Sequence, residues 1–305
     1  MTHRHLSRRA VLGGAAAAAA TAASVTPVAS TAATAATEGS SSAAYASDNA
    51  SIADLEQKHQ RRLGVWATNL RTGRIVEHRA DERFPMLSTF KTLLAAQILR
   101  DLPARTLHRR LTWSESDVVA NSPITSLTVR NGLTVAQLAE AAITRSDNTA
   151  ANELLRLVGG PSGITRFARS LGDDVTRLDR WEPELNTAIP GDPRDTTSPR
   201  AIARTYTQLI LGDALSRADR DQLLTWMLAN QSTVTRFGAG VPAGWRLADK
   251  TGGGDYASRN DVGVTWTPDG SPIVIAALTR SDDPAAEPVD AALGDIAATV
   301  CAQLG

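Results

Sequence analysis

The order of its hydrophobic patterns constrains how this chain can fold. Strand-like patterns occur near both ends, at 63–70 and 75–79 and again at 246–250, 260–267 and 273–279. The middle of the chain has helical spacing instead. Helices are predicted at about 88–100, 134–142, 148–158, 161–171, 198–212 and 216–230. Strands from both ends that share one sheet would make the helical middle an insertion.

Two further helices are predicted next to the terminal strands. The first runs from Ser51 to Arg61, and the second, from about Pro288 to Gln303, carries a regular apolar face. We therefore predict an α/β (α+β) fold, in which an antiparallel sheet is flanked by terminal helices and interrupted by an inserted all-α domain. The predicted α/β domain comprises 47–84 and 231–305, and the all-α domain comprises 85–230.

Residues 1–46 are predicted to be a signal peptide followed by a flexible spacer. Ser7-Arg8-Arg9 begins a twin-arginine signature, and the alanine-rich stretch after it is too short to anchor the chain in a membrane. A general secretory signal is the alternative. Either leader predicts a secreted, extracytoplasmic protein without a membrane anchor, cleaved after Ala35 or Ala46.

Composition narrows the classes of function. The 32 basic and 32 acidic residues balance, which gives no indication of nucleic acid as a partner. Cys301 is the sole cysteine, so no intrachain disulfide can form, and the five histidines lack the spacing of a metal site. We expect no metal and no cofactor. A Gly-x-Ser-x-Gly elbow is also absent from the sequence.

Lysine is rare in this chain, with three lysines against 29 arginines. Because a buried lysine can lose its proton near neutral pH and arginine cannot, Lys91 and Lys250 are candidates for proton chemistry. Ser88 precedes Lys91 by three residues at the start of a predicted helix, which places both on one face. Ser88 is therefore a candidate nucleophile with Lys91 as its base. The alternative is a helix N-cap followed by an ordinary lysine.

Two other short motifs supply polar groups. Ser146-Asp147-Asn148 lies between two predicted helices, where a hydroxyl and an amide could pass a proton and hold a carbonyl group. Lys250-Thr251-Gly252 ends a predicted strand and is followed by Gly253, whose amide could join that of Ser88 in an oxyanion hole. A helix cap and a glycine turn are the structural alternatives.

The polar segment 180–195 is too long for a simple connection and contains three prolines, which fix its course. It carries Glu182 and, four residues later, Asn186. A carboxylate and an amide that share one water form a general base for hydrolysis. A solvated Glu182 is the alternative.

Four short motifs now stand in one chain, in the order Ser88-x-x-Lys91, Ser146-Asp147-Asn148, Glu182 and Lys250-Thr251-Gly252. This set and order closely resembles the class A serine β-lactamases. The resemblance covers essentially all of the chain after the leader, and 180–195 is similar to the Ω-loop of that family. It implies that Ser88 attacks the lactam carbonyl while Lys91, or Glu182 through a water, takes its proton. Ser146 would protonate the lactam nitrogen.

The resemblance implies roles for the other motif residues as well. Glu182 with Asn186 would activate the water that releases the acyl-enzyme, and the amides of Ser88 and Gly253 would bind the oxyanion. Asn148 would bind the substrate's side-chain amide. The substrate carboxylate would be held by Lys250, Thr251 and one arginine, either Arg236 or Arg259. Arg180 and Asp195 match the ion pair that closes the Ω-loop.

The sequence departs from the family pattern at two places. Asn121 stands where many relatives carry an aromatic residue at the substrate entrance. Leu87 and Gly254 are not cysteines, so the disulfide of some carbapenem-hydrolysing relatives cannot form, which argues against that spectrum.

Two other classes of function share part of this pattern. The main rival is a penicillin-binding D,D-peptidase or transpeptidase, which has the nucleophile but does not activate water. A β-lactam-sensing module is the second. Glu182 favours the lactamase, a hydrolase acting on a small β-lactam substrate, with a monomer expected.

Overall fold

The computed structural model describes residues 52–305, and the predicted leader, both cleavage sites and Ser51 lie outside them. The strands are β1 (Arg62–Asn69), β2 (Ile75–His78), β3 (Phe84–Pro85), β4 (Arg110–Leu111), β5 (Leu133–Thr134), β6 (Thr196–Thr197), β7 (Arg246–Gly253), β8 (Arg259–Trp266) and β9 (Pro272–Arg280). The helices are α1 (52–59), α2 (Phe90–Asp101), α3 (Val135–Thr144), α4 (Asn148–Leu157), α5 (Pro161–Ser170), α6 (Pro199–Ile210), α7 (Arg217–Leu228), α8 (Phe237–Gly240) and α9 (Ala291–Leu304).

Both ends of the described chain build one antiparallel sheet, as predicted. The strand order is β2-β1-β9-β8-β7, and Val65 of β1 lies opposite Ala277 of β9. Helices α2–α7 lie between β2 and β7 in the sequence. Because both strands belong to this one sheet, these helices form an insertion in it. The division into two domains stays a prediction.

The sheet is buried on both faces because its strands alternate between two apolar layers. In β9, Ile273, Ile275 and Ala277 pack towards α9, whereas Val274 and Leu278 pack towards the helical middle of the chain. Successive strand residues point to opposite faces, so a wholly apolar strand fits a sheet covered on both sides.

Helix α2 lies at the centre of the helical layer. Every residue from Phe90 to Leu99 is buried, and this includes Lys91. A helix that is apolar nearly all round must be surrounded by other elements. Its burial therefore carries the ammonium group of Lys91 into the interior.

The structure corrects several predicted boundaries. Lys250-Thr251-Gly252 lies within β7, which continues to Gly253, because these residues pair with β8. The helix predicted from residue 88 starts at Phe90, after a 3-10 turn over Leu87–Thr89. The predicted all-α region also contains short ladders, β3 with β6 and β4 with β5. None of the described helices is long and apolar enough to cross a bilayer.

Candidate active site

A cavity of about 740 Å³ opens where the edge strand β7 faces the Ser88 turn, the α3–α4 turn and the 180–195 segment. Its polar lining comes from six separate parts of the chain. The lining includes Ser88, Asn121, Ser146, Asn148, Asn186, Arg236, Thr251, Gly253 and Arg259. Lys91, Glu182 and Lys250 lie buried directly behind this wall. The structure thus brings all the predicted site residues together.

The turn that carries Ser88 is held by neighbouring elements on two sides. Asn260 Nδ2 of β8 donates to the Pro85 carbonyl oxygen at 2.8 Å. Tyr206 Oη of α6 donates to the Thr89 carbonyl oxygen at 2.8 Å. These bonds fix the backbone before and after Ser88, so its hydroxyl has a defined position at the start of α2. No sequence motif marks either of these two anchors.

Lys91 is fully buried and bonds to three groups. Its Nζ donates to Ser146 O at 2.8 Å and to Asn148 Oδ1 at 2.6 Å, and it lies 3.0 Å from Glu182 Oε1. Burial lowers the pKa of Lys91, and the Glu182 carboxylate opposes that shift. Among the described residues, its hydrogen bonds do not include Ser88 Oγ. The hydrogen bond expected from the i,i+3 spacing is therefore not among them.

Glu182 links the 180–195 segment, to which it belongs, to Ser88. Ser88 Oγ donates to Glu182 Oε1 at 3.4 Å, and Asn186 Nδ2 donates to Glu182 Oε2. Asn152 of α4 clamps the Glu182 backbone, donating to its carbonyl at 2.9 Å and accepting from its N–H at 3.0 Å. Sequence reasoning missed Asn152. Its position four residues after Asn148, on the same helical face, was the available signal.

The two ends of this segment are closed by the predicted ion pair. Arg180 Nε lies 2.5 Å from Asp195 Oδ2, which confirms the pairing. Asp195 Oδ1 also accepts from the N–H groups of Asp179 at 2.7 Å and Arg180 at 2.9 Å. The Asp195 carbonyl accepts from Met86 N at 2.7 Å, two residues before Ser88. The end of the segment is thus hydrogen-bonded to the backbone just before the Leu87–Thr89 turn that carries Ser88.

Ser146 lies at the turn between α3 and α4, as predicted. Its Oγ accepts from Lys250 Nζ at 3.1 Å and lies 3.5 Å from Lys91 Nζ. Asp147 caps α4 by accepting from Ala150 N at 2.8 Å, which fixes the turn. Burial, with a contribution from the nearby Lys91 charge, lowers the pKa of Lys250 to about 7. Lys250 can therefore hold or release a proton near neutral pH.

The edge of β7 presents a free amide to the cavity. Gly254 N donates to Ser258 O at 3.1 Å, towards β8. Since successive strand amides point in opposite directions, the N–H of Gly253 points to the open edge. A Cβ at Gly252 would lie 3.3 Å from Ser88 N. The strand therefore brings two backbone N–H groups, those of Ser88 and Gly253, to one side of the cavity.

Three residues around the cavity have positive φ although they are not glycine. They are Leu87 at 53°, Asn121 at 58° and Ser146 at 55°. Such conformations cost free energy and persist where the surroundings hold them, often at functional sites. A Cβ at Gly254 would lie 2.6 Å from Leu87 Cδ2, so positions 87 and 254 are adjacent.

Both candidate arginines reach the cavity. A Cβ at Gly253 would lie 3.3 Å from Arg259 Nη1 and 3.9 Å from Arg236 Nη2. One carboxylate oxygen, Asp290 Oδ1, lies 3.1 Å from Arg236 Nε and 3.3 Å from Arg259 Nε. Burial, and secondarily the Arg236 charge, lowers the pKa of Arg259. Asp290 was not predicted, and no motif marks it.

The side chains that could bind a metal ion are scattered in the described part of the chain. Across residues 52–305, no three His, Cys, Asp or Glu side chains are arranged to hold an ion.

Comparisons with known proteins agree with this geometry. The family described as "Beta-lactamase enzyme family" matches residues 49–304. A β-lactamase of Streptomyces fradiae is 56% identical over 239 residues, covering 76% of this chain and 78% of the relative. The solved β-lactamase of Streptomyces albus G superposes with a TM-score of 0.84 at 50% identity, covering 85% of this chain and all of that one.

A solved ancestral class A β-lactamase, reconstructed for Gram-negative bacteria, gives a TM-score of 0.80 at 50% identity. The match covers 83% of this chain and 98% of that structure. Family, relatives and fold therefore agree, and this chain belongs to the class A serine β-lactamases, which are hydrolases acting on β-lactams.

Proposed function

We propose that this β-lactamase works through an acyl-enzyme on Ser88, which is released by water that Glu182 activates. One observation supports this most directly. The Glu182 carboxylate lies at once 3.4 Å from Ser88 Oγ and 3.0 Å from Lys91 Nζ, while Asn186 donates to its second oxygen. Such a carboxylate can serve the nucleophile and, later, a water.

In the acylation step, Ser88 Oγ attacks the lactam carbonyl carbon and loses its proton. Glu182 is the favoured acceptor because Ser88 Oγ already donates to it. Lys91 is the alternative when Glu182 is removed or displaced. Its burial favours the neutral amine, and Glu182 is the main charge that opposes this shift. Acylation should therefore survive the loss of Glu182.

Opening of the lactam ring breaks the carbon–nitrogen bond, and the nitrogen needs a proton. Ser146 Oγ accepts a hydrogen bond from Lys250 Nζ, which leaves its own hydrogen free to be donated. Lys250, with a pKa of about 7, or Lys91 can then return a proton to Ser146. The developing oxyanion is bound by the N–H groups of Ser88 and Gly253.

Substrate binding in this proposal uses the rest of the lining. The carboxylate of the substrate is held by Lys250, Thr251 and an arginine at the far end of β7. Asn148 binds the side-chain amide of the substrate. Its Oδ1 already accepts from Lys91, so its orientation is set before the substrate arrives.

Deacylation requires a water between Glu182 and the ester carbonyl. Asn186 Oδ1 is buried and has no hydrogen-bond partner within residues 52–305, so it is available to such a water. Glu182 takes the water's proton, the hydroxide attacks the ester, and the Ser88 oxygen leaves and regains a proton. Enzyme and ring-opened acid are then released.

The test compares the purified mature chain with Glu182→Ala on a chromogenic cephalosporin, with intact mass measured for both. We expect steady turnover by the parent and one stable acyl adduct on the variant. Glu140→Ala, which removes an exposed carboxylate on α3, is the control and should turn over normally. A parent that stalls as an adduct would identify a penicillin-binding enzyme or a sensor instead.

We also propose that the protein is exported, as the twin-arginine leader predicts. A second proposal is that it acts as a monomer. Fusion of residues 1–46 to a reporter that is active only after export by the twin-arginine route would test the first part.

A further inference from the structure

Arg145 lies in the wall of the cavity, directly before Ser146, and the mechanism above gives it no role. Its side chain is exposed. Within residues 52–305 its guanidinium makes one hydrogen bond, from Nη1 to Gln231 Oε1 at 2.7 Å, and no ion pair. Because a guanidinium has five N–H donors and stays protonated, most of these donors and the whole charge are left for another group.

The backbone around Arg145 is held on two sides. Arg145 follows α3, and its N–H donates to Ala141 O at 3.1 Å. Gln231 N donates to Thr144 O at 3.1 Å, which joins the segment after α7 to the same turn. The side chain of this glutamine also accepts from Arg145, as given above. Gln231, which precedes Ser232 of the cavity lining, therefore restrains the guanidinium at this wall.

The acidic side chains of the lining lie in a different part of the cavity from Arg145. They are Glu184, from the 180–195 segment, and Asp255, from the turn after β7. Asp255 N donates to Asn186 O at 2.9 Å, so these two parts of the lining are in contact. An anionic group of the substrate is thus repelled beside them and attracted beside Arg145.

The chemistry of a β-lactam indicates which substituent comes near Arg145. The lactam carbonyl carbon is bonded on one side to the nitrogen and on the other to the carbon that carries the acylamino side chain. Since Ser146 donates to the nitrogen in the proposed mechanism, the ring fused to that nitrogen lies on the Arg145 side. In a cephalosporin this ring carries a second substituent at C3, beside the carbon that bears the carboxylate. Arg145 is therefore placed to meet that substituent and not the acyl side chain.

We propose that Arg145, held by Gln231, is a subsite for an anionic C3 substituent on the ring fused to the lactam, separate from the site of the ring carboxylate. This inference rests on the proposed function, because it uses the position of Ser146 at the lactam nitrogen. Gln231 is a positioning residue, since it contacts the arginine and not the substrate. Because the arginine is exposed, the subsite should change selectivity several-fold and should not be required for turnover.

The experiment compares two cephalosporins that share a phenylacetamido side chain. The C3 substituent of one ends in a carboxylate, and that of the other ends in the primary amide of the same length. The readout is the ratio of kcat/KM for the acid to kcat/KM for the amide. We expect Arg145→Gln to lower this ratio about fivefold and the charge reversal Arg145→Glu to lower it about 25-fold. Arg145→Lys, which keeps the charge, should stay within about twofold of the parent.

Three controls separate charge at this wall from structure. Gln231→Glu keeps an acceptor for the guanidinium and neutralises its charge, so it should also lower the ratio about fivefold, even if Arg145→Gln does not fold. Arg217→Gln removes an arginine whose side chain is 91% exposed and should leave the ratio unchanged. A penicillin with a carboxylate on its acyl side chain, compared with its amide, places the anion away from Arg145. Arg145→Gln should change that second ratio less than about twofold.

The outcomes are distinguishable. An unchanged acid-to-amide ratio in Arg145→Gln and Arg145→Glu would overturn the inference. Equal losses in these two variants would show a lost structural contact instead of a charge, and equal responses of the cephalosporin and penicillin pairs would show a general field. Either result also overturns it. If the unaltered enzyme forms a stable adduct and does not turn over, the proposed function fails, and the ratio of acylation rates still tests Arg145.

Discussion

Replacement of Asp195 tests whether closure of the 180–195 segment controls release of the acyl-enzyme. The carboxylate is 1% exposed and accepts from Arg180 Nε and from two backbone N–H groups. Two substitutions dissect these bonds. Asp195→Asn keeps an oxygen for the N–H groups and loses the charge, whereas Asp195→Ala loses all three acceptor bonds.

The magnitude follows from the bonds that are lost. A hydrogen bond to a charged group contributes about 1.5–3 kcal/mol, and a neutral one about 1 kcal/mol. Asp195→Asn should thus weaken closure by about 2 kcal/mol and Asp195→Ala by about 4 kcal/mol, less what water recovers at the partly exposed Arg180. Since 1.4 kcal/mol is a factor of ten, a loss of even about 3 kcal/mol would shift the closed-to-open equilibrium towards the open segment by more than 100-fold.

The consequence should appear in deacylation. In the proposed mechanism, displacement of Glu182 would remove the group that activates water, while Lys91, freed from its ion pair, could still assist acylation. Stopped-flow bursts give the acylation rate, and intact mass during turnover gives the acylated fraction. We expect that fraction to rise from Asp195→Asn to Asp195→Ala. Asp192→Ala, which breaks a pair with Arg194 in the same segment, is the control. Unchanged deacylation, or equal loss in both steps, would refute the reasoning.

Three other changes have defined outcomes. Asn152→Ala removes both bonds to the Glu182 backbone, so kcat should fall at least tenfold with KM little changed in steady-state kinetics. Because burial lowers the pKa of Lys250 to about 7, its charge is lost as the pH rises through 7. KM for a carboxylated substrate should then rise, and KM for the methyl ester should not, in a pH profile. A Cβ at Gly240 would lie 1.9 Å from Gly294 O, so Gly240→Ala should lose about 1–3 kcal/mol in urea unfolding.

The fold was largely predictable because hydrophobic period determines most of it. Strand-like apolar patterns marked β1, β8 and β9 to within about two residues, and helical spacing did the same for α3–α7. Strand ends were less predictable. Periodicity does not show which strands pair. The continuation of β7 through Gly253 could therefore be recognised only from its pairing with β8. The short ladders β3–β6 and β4–β5 have two residues each, too few to show any period.

The motifs located the reactive side chains but not what holds them. Ser88, Ser146, Glu182 and Lys250 each lay in a short pattern with a chemical reason. The residues that hold these side chains in place, such as Tyr206, lie far away in sequence and belong to no motif. Even the local spacing misled in one respect. The i,i+3 relation placed Lys91 on the face of Ser88, yet burial directs its amine to Ser146, Asn148 and Glu182.

In the proposed mechanism, these contacts provide a route for protons that uses no histidine. Ser88 Oγ lies 3.4 Å from Glu182, Glu182 lies 3.0 Å from Lys91, and Lys91 lies 3.5 Å from Ser146 Oγ. Lys250 completes the chain at 3.1 Å from the same Ser146 oxygen. Each lysine's burial lowers its pKa, and the charge of Lys91 lowers that of Lys250 further. In the proposed mechanism, a proton taken from Ser88 would therefore make Lys250 the readier donor through Ser146, and this buried network would couple acylation to ring opening.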